Sequence, residues 1–197
     1  MTDWQAPSGR SLKQRIERLE ADLHPEVRIN AYHDLPYAVF RYDPAEELAV
    51  RPEIQMLKTR LEKKGKQILV VSLAEVVNEA LDSALSGNLE RFYKAEVDQG
   101  VEAAVKTVHQ ILTKKRPLDQ LVAERLNALD PANSIAFLVR AEALYPAYRT
   151  SALLDRLSKT GVRVPVVLFY PGTLEGVTGL KFMGALEPEH NYRARIY

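Results

Sequence analysis

The sequence predicts an α/β protein in three layers, a mostly parallel central sheet with helices on both faces. Short apolar runs at 35–42, 66–73, 134–139 and 164–170 alternate with amphipathic helical segments, the pattern that builds parallel sheets through helical crossovers. The runs KQILVVSL and SIAFLV are nearly continuous in apolar character, as in strands covered on both faces. Residues 179–184 and 191–197 alternate like the two arms of a β-hairpin, which adds an antiparallel pair at the sheet edge.

Taken in order, residues 11–29 read as an amphipathic helix. Ser11 and Gln14 can form a capping box, and Leu12, Ile16, Leu19 and Leu23 recur at helical spacing. The stripe is narrow and the other faces are charged, so residues 1–30 are expected to form a helical appendage on the surface of the body. The first strand, 35–42, ends at Asp43-Pro44. A helix over 53–64 turns Ile54, Leu57 and Leu61 inward and closes at Gly65. After the strand 66–73, Ser72 and Glu75 open a helix with Val76, Val77, Ala80, Leu81 and Leu85 on one side. Residues 89–129 are helical throughout, with the stripes Val101/Val105/Val108/Leu112 and Leu118/Leu121/Val122/Leu126/Leu129 separated by Pro117. A strand at 134–139, a helix at 150–159 stopped by Gly161, and a strand at 164–170 follow. No repeat or linker divides the 197 residues, and the length suits one domain.

Composition narrows the function. The absence of cysteine excludes disulfides, thiolate zinc sites, iron–sulfur clusters and a cysteine nucleophile. The longest apolar run, VPVVLFY, is far short of the roughly 20 residues that span a bilayer, and the opening residues lack the apolar core of a secretory signal. A cytoplasmic protein with no membrane partner is expected. With 27 basic and 26 acidic residues, the charge balance does not call for DNA, whose non-specific binding draws on phosphate neutralisation. Local basic runs, Lys58, Arg60, Lys63, Lys64 and Lys66 and then Lys114, Lys115 and Arg116, still leave room for a DNA contact. Most of them suit the C-terminal ends of helices.

The strand–helix order is like that of a P-loop nucleotide-binding fold, so the loop after the first strand is the first place to look for chemistry. A phosphate cradle needs glycines and a GK[ST] ending, because backbone N–H groups must close on phosphate oxygens. Residues 42–53 read YDPAEELAVRPE, with no glycine, two prolines and the carboxylates Asp43, Glu46, Glu47 and Glu53. A topology of this kind without a Walker A loop is expected to bind no nucleotide, and no cofactor is expected. The strand 134–139 leads into Arg140 and Glu142 where a magnesium-holding acid would stand. His24, His33, His109 and His190 lack the spacing of a helical metal site, and neither HExxH nor GxSxG occurs. No catalytic or metal-binding residue is assigned. Asp43, Glu46 and Glu142 are the residues a metal-dependent nuclease or phosphohydrolase would have to use, while Pro44 at the first helical position followed by acids suits a plain helix start.

Loops after parallel strands gather on one rim of a sheet, where open α/β folds bind their ligands. Three loops meet there, and they carry Asp43, Glu46, Arg140, Glu142, Tyr145, Tyr148, Arg149, Tyr170, Gly172 and Glu175. Tyrosine and arginine are concentrated at binding hot spots, and the turn with Gly172, Gly176 and Gly179 lets the backbone approach a neighbour closely. In NYRARIY, Tyr192, Ala194 and Ile196 alternate with Arg193, Arg195 and Tyr197, placing two arginines on one face of an edge strand. These residues are the candidate partner-binding surface.

The segments PYAVFRYDPAEE, RAEALYPAYRTSALLDRL and above all VPVVLFYPGTLEGVTGLKFMG…NYRARIY resemble the BrxB proteins of bacteriophage exclusion (BREX) systems, a family first catalogued as a domain of unknown function. The resemblance runs from about residue 35 to the end and is most specific in the last third. It implies a prokaryotic antiviral-defence component that is not an enzyme and that assembles through protein–protein contacts. A PglZ-type protein of the alkaline-phosphatase-like class and other BREX subunits are the implied partners. The family supplies no catalytic residues to carry over. A metal-dependent nuclease or phosphohydrolase and a nucleic-acid-binding module are the competing readings.

Overall fold

The computed structural model describes residues 11–23, 37–176, 179–183, 187–188, 192 and 194–197. Its centre is a mostly parallel sheet of β1 (Tyr37–Tyr42), β2 (Gln67–Ser72), β3 (Ser134–Val139), β4 (Val166–Glu175) and β6 (Arg195–Ile196), in the order β2-β3-β4-β1-β6. These five strands pair in parallel, and β5 (Gly179–Phe182) lies antiparallel on the far end of β4.

The chain leaves β1 for the distant β2 and then returns through β3 to β4. That reversal of direction puts the helices on opposite faces. On one face, α1 (Leu12–Asp22) and α2 (Glu47–Lys63) send Ile16, Leu19, Leu57 and Leu61 against Phe40, Phe137 and Phe169. On the other, α3 (Leu73–Ala84), α6 (Leu118–Asn127) and α7 (Thr150–Leu157) pack on Val39, Leu138, Leu168 and Tyr170. Neighbouring residues of β1, β3 and β4 thus serve different cores, as the two-residue period of a strand requires. Between α3 and α6 run α4 (Leu89–Gln99), α5 (Val101–Gln110) and a π-helical turn over Ile111–Lys115.

Local signals explain most boundaries. The Ser11 hydroxyl accepts from Gln14 N–H at 3.3 Å while the Gln14 side chain accepts from Ser11 N–H at 3.1 Å, the reciprocal capping box. Gly65, at φ +84°, ends α2 in a Schellman motif: Lys66 N–H bonds Leu61 C=O and Gly65 N–H bonds Glu62 C=O. The Ser72 hydroxyl caps α3.

Several expectations are corrected. The arms 179–184 and 191–197 do not form a hairpin with each other: β5 turns back on β4, and β6 runs parallel to β1. The cause is that β4 continues through Pro171-Gly172 to Glu175, so the chain reverses only at Gly176, φ +65°. The alternation itself is observed, with Ala194 and Ile196 on one core and Tyr197 in the other. β2 is an edge strand whose Ile68 joins one core and whose Leu69 and Val71 pack in the other, as expected of a strand covered on both faces, although Val70 is 39% exposed. α2 starts at Glu47 rather than at 53 and contains Pro52, which removes one hydrogen bond near the helix start without breaking it. α1 ends at Asp22; residues 24–29 of the expected helix lie outside the described residues. Its Ile16 and Leu19 are fully buried, so this helix is part of the core it shares with α2.

Candidate interaction surface

The C-terminal ends of β1, β3 and β4 form the rim at which the candidate residues were expected to meet. At the tip of β1, the Asp43 carboxylate accepts from Ala45 N–H at 2.9 Å, and the Glu46 carboxylate accepts from Asp43 N–H at 3.1 Å. Pro44 occupies the first position of the 3-10 turn Pro44–Glu46. Acids and proline at this tip therefore start a helix, and two of its N–H donors are used up locally.

Beneath that turn lies a residue absent from the sequence-based candidates. Arg15 of α1 is buried, donates to Arg41 C=O at 2.5 Å and to Glu46 at 3.0 Å, and stands over the Phe40 ring at 5.4 Å. Nothing in the charged repeat of α1 distinguishes Arg15 from Arg18, so only the packing of the helix on β1 reveals it. Arg41 donates to Gly172 C=O at 3.4 Å, joining the tips of β1 and β4. Burial, with the neighbouring Arg15 charge second, lowers the Arg41 pKa.

Toward α2, the Tyr42 hydroxyl donates to Glu47 at 2.5 Å, and Arg51 pairs with the same carboxylate at 2.9 Å. Burial, then the Glu47 bond, raise the Tyr42 pKa far above the ordinary phenol value. Glu142, on the 3-10 turn Ala141–Leu144 after β3, contributes to that shift electrostatically and pairs with Arg140 at 3.5 Å. Arg140 sits in the left-handed region at φ +59°, which aims the chain out of β3 and onto the rim.

The candidates thus divide. Asp43 and Glu46 stand at the tip of β1 and Arg140 and Glu142 follow β3, with β4 between those strands, and Glu175 is exposed where β4 ends. Arg149, exposed, precedes α7. Tyr145 is 43% exposed, with its ring 6.4 Å from Phe182. Tyr148 and Tyr170, expected on the rim, are buried in the core beneath α3, α6 and α7. Burial pushes the Tyr148 phenol up to about 12, and the Tyr170 hydroxyl donates to Leu180 C=O at 3.3 Å. Gly172 lies within a strand, not a loop. A Cβ there would stand 2.4 Å from Lys181 C=O and 2.4 Å from the Tyr170 ring, so the close approach its glycine allows is to the chain itself. Arg195 pairs with Asp22 of α1 at 3.0 Å and lies over the Tyr197 ring, so its charge is used within the molecule. Arg193 lies outside the described residues, as do His24, His33 and His190. Among the described residues, no three histidines or carboxylates are grouped to hold a metal ion, and no helix is long and apolar enough to cross a membrane.

Fold and rim together define an α/β protein with a parallel sheet covered on both faces, whose strand tips are tied to one another by its own side chains. The family model described as BREX protein BrxB matches residues 69–196, more than half the chain, and the chain belongs to that family. It is 28% identical over 163 residues to a BREX protein BrxB of Bacillus cereus (strain H3081.97), covering 82% of this chain and 83% of the relative. It is 26% identical over 168 residues to a BREX protein BrxB of Escherichia coli O9:H4 (strain HS), covering 84% and 81%. No solved structure matches.

Proposed function

We propose that this BrxB-family chain is a non-enzymatic assembly subunit of a BREX-type phage-defence complex, a single cytoplasmic domain that works through protein contacts. The observation that carries this reading is the closed tip of β1. Where a nucleotide-binding relative needs free N–H groups around a phosphate, this tip has proline, two carboxylates that bond its own backbone, and the Arg15 guanidinium already engaged by Arg41 C=O and Glu46. A triphosphate brought there would meet Asp43 and Glu46 rather than donors. The strand order, with β1 inside the sheet between β4 and β6, supports a P-loop-like wiring from which the cradle has been lost.

The partner in this reading is a PglZ-type alkaline-phosphatase-like protein, with other BREX subunits in the same assembly. Co-expression and size-exclusion chromatography test it. The two proteins are expected to elute as one complex, and calorimetry on the purified chain is expected to show no heat of ATP binding. Separate elution from every BREX subunit, or saturable ATP binding lost on Arg15→Met substitution, would sink the proposal.

A further inference from the structure

The outer edge of β1 is closed by two short elements that lean on each other. β6 is two residues long, shorter than the roughly three to ten residues usual for a strand. Tyr197 carries it on: its N–H donates to Val39 C=O at 2.9 Å, and its C=O accepts from Arg41 N–H at 3.1 Å. The side chains of this segment converge on one carboxylate. Asp22 of α1 accepts from the Tyr197 hydroxyl at 2.9 Å and pairs with Arg195 at 3.0 Å, and the Arg195 guanidinium lies 5.2 Å from the centre of the Tyr197 ring. Burial first, and the Asp22 bond second, raise the Tyr197 pKa, so the phenol keeps the proton it donates.

α1 depends on the same contact. It has 11 residues, fewer than the roughly 12–15 at which an isolated helix is even marginal in water. Its hold on the body is a narrow apolar stripe, Ile16, Leu19 and Leu23, which shares a core with the Tyr197 ring. Polar clamps supply the rest: Arg15 to Glu46 and Arg41 C=O, Glu20 to Arg60 and Lys64, and Asp22 to Arg195 and Tyr197. The remainder of the sheet is built otherwise. β1 pairs with β4, and β2 with β3, along their whole registers from Tyr37 to Tyr42 and from Gln67 to Ser72. Two elements too short to stand alone, joined through one carboxylate, gain or lose their structure together.

We propose that α1 and residues 194–197 form one strap, latched at Asp22, which lifts as a unit while β1, β2, β3 and β4 stay paired. Lifting it uncovers the Phe40 ring under Arg15 together with Val39 C=O and Arg41 N–H, an open strand edge of the kind on which an added strand docks. The strap stands whichever protein the chain assembles with. Native-state hydrogen exchange on the full chain tests it by NMR. The amides of Leu19, Arg41 and Tyr197 are expected to exchange through a common opening, at least about tenfold more often than Ala136 of β3. Asp22→Ala is expected to speed Arg41 and Tyr197 roughly tenfold, and the double variant Arg195→Met/Tyr197→Phe to speed Leu19 by a similar factor, because coupling between two elements is reciprocal. Ala136 is expected to keep its rate in both variants, which separates a lifted strap from a damaged sheet. Protection of Tyr197 and Arg41 that survives Asp22→Ala, or of Leu19 that survives the double variant, would overturn the proposal. So would acceleration of Ala136 along with the other three.

Discussion

The strand tips and the α4–α5 arm treat their side chains in opposite ways. At the tips of β1 and β4, Arg15, Arg41, Tyr42, Asp43, Glu46 and Glu47 each find a partner within the chain. Along the arm, Val97 is 85% exposed, Tyr93 and Val101 are also exposed, and the cations that follow lack partners among the described residues. Charged and aromatic residues near a sheet's C-terminal edge invite a functional reading, but here many of them hold the fold together. Exposed apolar side chains gather instead on α4 and α5, two of the helices inserted between β2 and β3.

The largest effect that would sharpen this contrast is at Gly172. A valine there forces a methine carbon onto Lys181 C=O and is expected to cost about 3 kcal/mol in urea unfolding; a loss below about 1 kcal/mol would show that β4 and β5 can separate freely. An intermediate effect is expected in acid. Burial alone would raise the Glu20 pKa, but hydrogen bonds from Lys64 and Arg60 outweigh it and hold it below the ordinary glutamate value of 4.5. A depressed carboxylate stabilises the fold above its unfolded pKa, and that contribution disappears as the pH falls through the lower folded value. The clamp of α1 on α2 should therefore weaken below about pH 4.5, and Glu20→Gln should cost about 1 kcal/mol at neutral pH and much less in acid. A pH-independent difference between the two proteins would show that Glu20 carries no such linkage. The smallest effect is at the arm: Val97→Ser should change stability by no more than about 0.5 kcal/mol, and a larger loss would mean that α4 packs more tightly than its exposure implies.

Strand β3 was legible residue for residue, because an unbroken apolar run between turn residues has few other solutions. Gly65, Ser72 and the Ser11–Gln14 pair were equally readable, since a cap is decided within four residues. Misreadings came where a distant partner overrode a local cue. Pro171-Gly172 reads as a turn, but pairing with β5 keeps it extended. Pro52 reads as a helix boundary, but Val50 is buried and draws the helix back to Glu47. Tyr148 and Tyr170 share their residue type with exposed hot-spot tyrosines, and only packing separates them from Tyr145. Arg15 left no local mark.

The position of β1 sets an order of assembly. Its neighbours on either side, β4 and β6, both come from the last third of the chain. As the polypeptide emerges from the ribosome, its first strand therefore waits, both edges open, until more than a hundred further residues have followed. Pairings so distant in sequence slow folding. During translation, this interior strand of the finished sheet stays open to chaperones, or to mispairing with another nascent copy.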